Sequence, residues 1–325
     1  MGAGMKRWLV RCAVGAAALL AALYVGSIVF PADAARGLTA ALRWSAGLSA
    51  RSVETDHGRI AYLEGGAGET VLFLHGVYAR KEHWIDMSRA LSGGYRVILL
   101  DLPGFGENAP LPPGGYRFEA QKAALAHVVD RLGLDRFHIV ANSMGAQIAG
   151  LLATEAPERV LSLAFVGGPA GVRTPESSDM EQALRIGVAP LVVGSEQEFY
   201  DRMAWLFPKT PFIPAPITKT WAAEEAARAG LNRRIWREIG ESSAPPLLDL
   251  APELRMPTLV VWCDQDRVFH VSGAGRLVAA LPGGRRAEIR DCGHVPMLDR
   301  PVAVGAAQRD FLDRLAAPAG EPDVR

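Results

Sequence analysis

Residues 140–146 read Val-Ala-Asn-Ser-Met-Gly-Ala and connect an apolar β-like stretch, 137–140, to an apolar helical one, 145–154. A serine at the apex of a strand–turn–helix has the layout of a nucleophile elbow, with Ser143 as the reactive residue. The turn is sharp, so the residues two before and two after the serine must be small, and here they are alanine and glycine. Short serine–glycine patterns also recur on ordinary loops, so the prediction depends on the rest of the chain.

Apolar strands alternate with helical segments on both sides of this turn. The pattern is typical of a mainly parallel sheet that helices cover on both faces, an α/β fold. One segment interrupts the alternation with helical stretches and clustered prolines, which predicts a helical insertion, or lid, over residues 170–246. The predicted core comprises residues 51–169 and 247–316, and a disordered tail, 317–325, follows it.

The amino-terminal residues form a separate segment. Three cationic residues precede an uncharged stretch, 12–32, that is rich in Ala, Leu and Val. A helix over residues 8–30 would be about 35 Å long, enough to cross a hydrocarbon core of about 30 Å. We therefore predict an uncleaved transmembrane anchor over residues 1–33, in preference to a cleaved signal peptide with its site at Ala32-Asp33-Ala34. A linker helix is predicted next, over residues 34–50.

The positive residues before the apolar stretch predict that the amino end stays in the cytoplasm. The catalytic domain is then expected on the extracytoplasmic, periplasmic side of a membrane, or secreted if the segment is a cleaved signal. A disulfide is permitted in such a compartment, and Cys263 and Cys292 fall at the ends of neighbouring predicted strands. Two buried free thiols are nevertheless the favoured interpretation of these cysteines.

Charge and motif content exclude several functional classes. The chain has 35 basic and 35 acidic residues, so no net charge attracts nucleic acid, and nucleic-acid binding is not expected. No zinc-binding pattern such as H-x-x-H or H-E-x-x-H occurs, so we predict no metal and no other cofactor.

An activated serine needs a base within hydrogen-bond reach and an acid that orients the base. Asp266 and His294 each follow a predicted strand, and chemistry in open α/β sheets gathers at these strand ends. Asp264 competes with Asp266 for the role of the acid, and Asp266 is preferred because it lies deeper in the loop. The chain order serine, aspartate, histidine is the one expected for a nucleophile elbow.

The oxyanion that develops during such a reaction needs hydrogen-bond donors. The backbone N–H of Met144, at the amino end of the elbow helix, is one candidate. The N–H of Val77, in the loop after an apolar strand, is the other. His75 in that loop precedes the serine in the chain, so we expect it to shape the loop. Asp101 lies in a loop rich in proline and glycine, where a turn-stabilising role is expected.

The chain resembles the α/β-hydrolase superfamily over residues 52–315. The resemblance rests on these motifs: L-H-G at 74–76, D-L-P-G-F-G at 101–106, N-S-M-G at 142–145, W-C-D-Q-D at 262–266 and G-H-V-P at 293–296. It implies the α/β-hydrolase fold, with a mostly parallel eight-stranded sheet, helices on both faces and a helical lid. The serine at 143 argues against the dehalogenases and epoxide hydrolases of the superfamily, which use aspartate there.

A narrower resemblance is to membrane-associated monoacylglycerol lipases and related bacterial lipases and esterases. It rests on the amino-terminal segment, on N-S-M-G and on two insertion motifs, F-I-P-A-P-I at 212–217 and L-N-R-R-I-W at 231–236. It implies a carboxylic ester hydrolase that forms an acyl-enzyme from a small acyl ester or a lipid. The lid would offer the acyl chain an apolar surface, although the same residues equally suit packing between lid helices: Phe199, Met203, Trp205, Leu206 and Phe207.

Two alternative functions stay open at the level of sequence. A carbon–carbon bond hydrolase uses the same three catalytic residue types and a similar lid, so the motifs separate it poorly from an esterase. A catalytically silent, membrane-tethered binding protein is the second alternative. An intact serine, aspartate and histidine set makes it the less favoured of the two.

Overall fold

The structure, a computed structural model, describes residues 3–317, without the side chains of residues 3, 6 and 17–23. The predicted tail, 317–325, lies outside the described residues except for Ala317.

The described residues form one sheet of eight strands in the order β1-β2-β4-β3-β5-β6-β7-β8. Strand β2 is antiparallel to both of its neighbours, and every other pairing is parallel. The mostly parallel eight-stranded sheet implied by the resemblance is confirmed. The strands are β1 Ser49–Thr55, β2 Gly58–Gly65, β3 Glu69–Leu74, β4 Tyr95–Leu100, β5 Phe137–Ala141, β6 Val160–Val166, β7 Thr258–Cys263 and β8 Gly284–Ile289.

Helices alternate with the strands and also fill a long insertion between β6 and β7. They are α1 Ala3–Val29, α2 Pro31–Ser45, α3 Ile85–Ser88, α4 Phe118–Arg131, α5 Met144–Glu155, α6 Asp179–Arg185, α7 Glu196–Leu206, α8 Ala215–Ala227, α9 Ala229–Gly240, α10 Leu247–Leu250, α11 Gly273–Ala280, α12 Pro296–Asp299 and α13 Pro301–Ala316.

The central strands are buried on both faces, which explains their continuous apolar sequences. In β3, Leu72 and Leu74 belong to the core cluster that contains α4 and α5. Val71 and Phe73 point to the opposite face and belong to the cluster that contains α13. Successive strand residues alternate between the faces, so a run of four apolar residues supplies both cores.

The insertion helices α6 and α7 begin at serine caps. The Ser178 hydroxyl accepts a hydrogen bond from the Glu181 N–H, and Ser195 accepts one from the Glu198 N–H, in the S-x-x-E pattern of a capping box. The Leu206 carbonyl at the end of α7 accepts the His294 N–H at 2.8 Å. The insertion is therefore attached to a loop at the carboxyl edge of the sheet.

Helix α2 is shorter at its carboxyl end than the predicted linker helix, 34–50. It ends at Ser45, and β1 already begins at Ser49. Gly47 adopts the left-handed conformation, with φ of 69°, and the Leu48 N–H bonds back to the Arg43 carbonyl at 2.9 Å. This glycine termination stops the helix before the sheet begins.

Helix α1 occupies most of the predicted transmembrane segment, 1–33. Among the described residues, no helix combines the length and the hydropathy that crossing a membrane requires. The transmembrane helix predicted from the sequence is therefore not supported.

Cys263 and Cys292 form a disulfide, with their Cα atoms 5.3 Å apart. Both are buried as predicted, but the prediction of free thiols is wrong. The parallel register places Cys263 opposite Ile289, and the loop after β8 returns so that the Gln265 N–H bonds to the Cys292 carbonyl at 3.1 Å. The disulfide thus joins the end of β7 to the loop that follows β8.

Replacing both cysteines of the disulfide by serine is expected to lower the free energy of unfolding by about 2–4 kcal/mol, because the cross-link restricts the unfolded chain. Urea unfolding of the oxidised protein and of the double variant measures the difference. Cys12→Ser changes an exposed free cysteine and should leave the midpoint unchanged. A double variant with the wild-type midpoint would contradict the prediction.

Candidate active site

Ser143 lies at a sharp turn between β5 and α5, as the elbow pattern predicts. Its φ of 52° and ψ of −115° place a non-glycine residue in a strained region of the backbone, which is typical of functional sites. A Cβ atom on Gly145 would lie 2.6 Å from the His75 carbonyl oxygen, so the helix can approach β3 only with glycine there. The serine side chain is held at the edge of the sheet by this packing.

The loop after β3 lies directly against the elbow. A Cβ atom on Gly76 would lie 2.7 Å from Asn142 Oδ1 and 3.1 Å from Ser143 Cβ. Within the described part of the chain, neither the Val77 N–H nor the Met144 N–H donates a hydrogen bond to a protein acceptor. Both predicted oxyanion donors are therefore available to a ligand at the elbow.

Asp266 and His294 meet at the ends of β7 and β8. Asp266 Oδ2 lies 3.0 Å from His294 Nδ1, and both side chains are buried. Asp266 Oδ1 accepts the N–H groups of Val268 and Phe269, at 2.9 and 3.0 Å, so the carboxylate is held in one orientation. Asp264 Oδ1 instead lies 3.5 Å from the Cys292 nitrogen, and no hydrogen bond joins Asp264 to the histidine in the described part of the chain.

Ser143 and His294 line the same cavity, although no hydrogen bond joins their side chains in this structure. Such bonds are often long before substrate binds. Asn142, the residue before the serine, donates its Nδ2 protons to the Val166 carbonyl at 2.7 Å and to the His294 carbonyl at 3.2 Å. The elbow and the histidine loop are thereby fixed relative to each other.

The cavity above Ser143 is small and mainly apolar, with a volume of about 60 Å³. Four of the five apolar insertion residues predicted to face an acyl chain line it: Phe199, Met203, Leu206 and Phe207. Phe199, Met203 and Phe207 are also buried in the core cluster that contains Val71, Phe73 and residues of α13, so they contribute to core packing as well.

Trp205, the fifth predicted residue, does not line this cavity. The guanidinium of Arg267 lies 4.6 Å from the centre of its ring. Phe199, Met203 and Leu206 are spaced by four and three residues and share one face of α7, and Phe207 follows the end of the helix. Position 205 is rotated by roughly 100° or more from that face. Trp205 therefore packs outside this cavity, because aromatic content alone does not indicate the direction of a side chain.

Residues 69–301 match a family model described as alpha/beta hydrolase fold. This match covers more than half of the chain. The chain belongs to the alpha/beta hydrolase family.

Relatives of known structure or name agree with this assignment. The crystal structure of a membrane phospholipase A, described as a bacterial virulence factor, matches with a TM-score of 0.86 and 34% identity, over 96% of this chain and 100% of that one. Lipase 1 of Psychrobacter immobilis is 29% identical over 74% of this chain and 76% of its own length. Monoacylglycerol lipase abhd6-B of Xenopus laevis is 27% identical over 77% of each chain.

Two glycines of this alpha/beta hydrolase lie against the His294 loop and the Asp266 carboxylate, and sequence reasoning missed them. Gly167 has a φ of 79°, and a Cβ atom there would lie 2.4 Å from the His294 carbonyl oxygen. The Gly168 N–H donates to Asp266 Oδ2 at 3.0 Å. The Gly-Gly-Pro run after β6 was the available signal, but from the sequence it indicated only that no acid follows this strand.

The interpretations of His75 and Asp101 as structural residues of the hydrolase agree with their contacts. His75 Nε2 accepts the Leu102 N–H at 3.0 Å, and its Nδ1 lies 2.7 Å from the Gly76 carbonyl. Asp101 accepts the Lys81 N–H at 2.8 Å and the Glu107 N–H at 3.0 Å. Both side chains therefore fix the loops next to the elbow.

Among the residues with described side chains, no cluster of three His, Cys, Asp or Glu residues could hold a metal ion.

The stability of this hydrolase is expected to fall as the pH drops below about 6.5. Burial lowers the pKa of His75, and desolvation lowers the pKa of His83 well below its usual range, so both stay neutral in the folded protein. In the unfolded chain each takes up a proton near pH 6.5. The unfolded state then binds more protons, so the free energy of unfolding decreases below that pH and is retained above it.

Urea unfolding at pH 8, 6 and 5 measures this dependence. His83→Phe removes one of the three histidines whose pKa is lowered by burial, His75, His83 and His138, and should make the decrease shallower, whatever it does to the stability at pH 8. A free energy of unfolding that stays constant between pH 7 and 5 would show that these histidines are protonated in the folded protein.

Proposed function

We propose that this alpha/beta hydrolase is a serine hydrolase that cleaves carboxylic esters of apolar acyl chains, as a lipase or esterase. The observation that carries the proposal is a single cavity that brings together a strained serine, a histidine held by a buried carboxylate, and apolar walls. These are the parts that acyl transfer to a serine requires. The relatives named as lipases support the same reaction class.

The proposed reaction has two halves. His294 takes the proton of the Ser143 hydroxyl as Oγ attacks the ester carbonyl, and Asp266 stabilises the resulting imidazolium. The N–H groups of Val77 and Met144 bind the oxyanion, and His294 passes its proton to the leaving alcohol as the acyl-enzyme forms. Water then loses a proton to His294 and attacks the acyl-enzyme, which releases the acid and returns the proton to Ser143 Oγ.

The charges around the cavity favour a neutral ester over the dienoic acid that a carbon–carbon bond hydrolase would cleave. Arg202 forms two hydrogen bonds of 2.6 Å with the carboxylate of Glu225, and both are buried. Arg80 pairs with Glu224 at 3.1 Å. These cations are already compensated, so a substrate carboxylate would gain little from them and would lose its hydration.

We further propose that the insertion, 170–246, acts as a lid. A cavity of about 60 Å³ is far smaller than the roughly 300–1,000 Å³ of sites that enclose ligands of drug size. An acyl ester therefore requires that α7 and α8, which form much of the cavity wall, move away from the elbow.

Membrane attachment through the amino-terminal segment, with the catalytic domain on the extracytoplasmic side, is also proposed. The support is a set of apolar α1 side chains that are each more than half exposed: Trp8, Val10, Val14, Tyr24, Val25, Ile28 and Val29. Such a surface is favourable only if something apolar covers it. Fractionation of cells that express the full chain, or the chain without residues 1–30, tests this, and recovery of both in the soluble fraction would refute it.

A substrate series tests the proposed ester hydrolysis. The full chain in neutral detergent is expected to hydrolyse p-nitrophenyl esters and monoacylglycerols, and to leave dienoic ring-cleavage products intact. A fluorophosphonate probe should label the protein, and substrate should compete with labelling. Cleavage of the dienoic acid with no ester hydrolysis would favour the carbon–carbon bond hydrolase, and absence of labelling would favour a silent binding protein.

A further inference from the structure

A second concave region lies between helix α2 and the segment that leads into α8. It is a groove of about 530 Å³. One wall is formed by α2 residues and the other by the proline-rich insertion segment, and most of the lining side chains are apolar: Leu38, Ala41, Leu42, Pro211, Phe212, Ile213, Pro214, Ile217, Trp221 and Leu298. Its size falls within the range of ligand sites, roughly 300–1,000 Å³.

The groove adjoins the catalytic cavity. Ile213, Trp221 and Leu298 line both of them, so one layer of side chains separates the groove from the space above Ser143. Within the described residues, none of these three side chains forms an ion pair or a hydrogen bond. Trp221 has a cation–π contact with Arg80 at 4.8 Å and a tilted ring contact with His83 at 5.5 Å. Rotation of these side chains would therefore connect the two spaces without breaking an ion pair.

The charged residues that line the groove favour an uncharged, apolar ligand. The two charged lining residues are acidic, Glu82 and Asp86, and no basic residue lines it. Glu82 is already paired with Arg43 and Lys81, and Asp86 with Arg89. A phosphate or carboxylate would find no cation there, whereas a hydrocarbon chain would gain the burial of its apolar surface.

One wall of the groove carries a large apolar side chain that is almost fully exposed. Phe212, in its wall, is 93% exposed. Helix α2, its other wall, follows α1 after a single residue, and α1 carries the exposed apolar side chains described above. Lipid that contacts α1 thus lies at the amino end of the helix that forms one wall of the groove.

We propose that this groove binds the hydrocarbon chain of a lipid ester and delivers it to the catalytic cavity when Ile213, Trp221 and Leu298 move aside. The proposal rests on the proposed ester hydrolysis and adds to it the site through which a membrane-borne substrate enters. Short, water-soluble esters have no long chain to place in the groove, so they reach Ser143 without it.

Ala41→Trp in α2 fills the groove from the wall opposite the catalytic cavity and touches no residue of the proposed catalytic machinery. Ala40→Trp is the matched control, because Ala40 is exposed on the same helix and does not line the groove. The full-length wild type and both variants are assayed on p-nitrophenyl butyrate in solution. They are also assayed on monooleoylglycerol in vesicles of ether-linked phosphatidylcholine.

Ala41→Trp is expected to lower kcat/KM for vesicle-borne monooleoylglycerol by about tenfold, the loss that corresponds to roughly two methylene groups no longer buried. The rate with butyrate should stay within twofold of wild type, which also shows that the variant folds. Ala40→Trp should match wild type on both. Equal rates for all three proteins on vesicles, or an equal loss by Ala41→Trp on both substrates, would overturn the proposal.

A binding measurement tests the groove independently of ester hydrolysis. Ser143→Ala protein is photolysed with a monoacylglycerol that carries a diazirine in its acyl chain, and labelled peptides are identified by mass spectrometry. Labels at residues 38–45 or 211–217 that Ala41→Trp abolishes are expected even if the wild type hydrolyses no ester. Labels with none at residues 38–45 or 211–217 would overturn the groove proposal, whereas the ester series alone decides the proposed function.

Discussion

Replacing Ser143 by alanine is expected to reduce ester hydrolysis by a factor of about 10⁴ or more. The variant keeps the cavity, the histidine and the oxyanion donors but lacks the oxygen that forms the acyl-enzyme. The measurement is kcat on p-nitrophenyl butyrate, together with fluorophosphonate labelling, which should disappear. Thermal unfolding should be close to that of wild type, because the strained backbone of the elbow is retained in both proteins.

Ser162→Ala is the matched control for this variant. Ser162 is a buried serine on the adjacent strand β6, where its hydroxyl lies 2.8 Å from His138 Nδ1, remote from the elbow. Its replacement should cost stability on the order of one hydrogen bond, about 1 kcal/mol, and leave kcat unchanged. Hydrolysis by Ser143→Ala above one tenth of the wild-type rate would show that another residue is the nucleophile.

Lys81→Met is expected to lower the free energy of unfolding by about 3–5 kcal/mol. The Lys81 ammonium is buried between three carboxylates, with Asp101 Oδ2 at 2.7 Å, Glu107 Oε1 at 2.8 Å and Glu82 Oε1 at 3.3 Å. Asp101 is itself fully buried, so methionine would leave its charge without a cation in an apolar environment. Urea unfolding at pH 7 gives the difference.

Lys122→Met is the control, because Lys122 pairs with a Glu155 side chain that is 60% exposed. Water solvates such a carboxylate when its partner is lost, so the expected cost is about 0–1 kcal/mol. Lys81, Glu82, Asp101 and Glu107 form the Lys81 cluster. Similar losses for the two lysine variants would show that burial does not determine the cost of removing the lysine from this cluster.

The lowered pKa of Glu107 indicates that the Lys81 cluster stabilises the charged form of this carboxyl. Burial opposes the charged form of this carboxyl, but hydrogen bonds and charge from Lys81 and Arg43 outweigh it and lower the pKa to about 2. Arg43 belongs to α2, so the cluster also joins this helix to the loops beside the elbow. Helix α2 is therefore part of the folded domain and not only a linker.

Most of the sheet, and the edge at which Asp266 and His294 meet, could be predicted from the sequence. Buried strands are continuous apolar runs, and the elbow is a local pattern whose small residues are required by the close approach of α5 to β3. Asp266 and His294 follow consecutive strands, and parallel strands bring their carboxyl ends to one edge. Local patterns were sufficient because each strand and the turn after it are recognisable from neighbouring residues, and the parallel sheet then brings these strand ends together.

The chain by itself thus determined the alternation of strands and helices, the elbow at Ser143, and the edge of the sheet where the other two residues lie. Only the tertiary structure decided that Cys263 and Cys292 are bonded, that Trp205 lies outside the cavity, and that α2 and the insertion enclose a groove. These features join residues that are distant in the chain, such as Arg43 and Glu82 or the two walls of the groove. Periodicity specifies which face of an element is apolar, but the packing of separate elements specifies what that face meets.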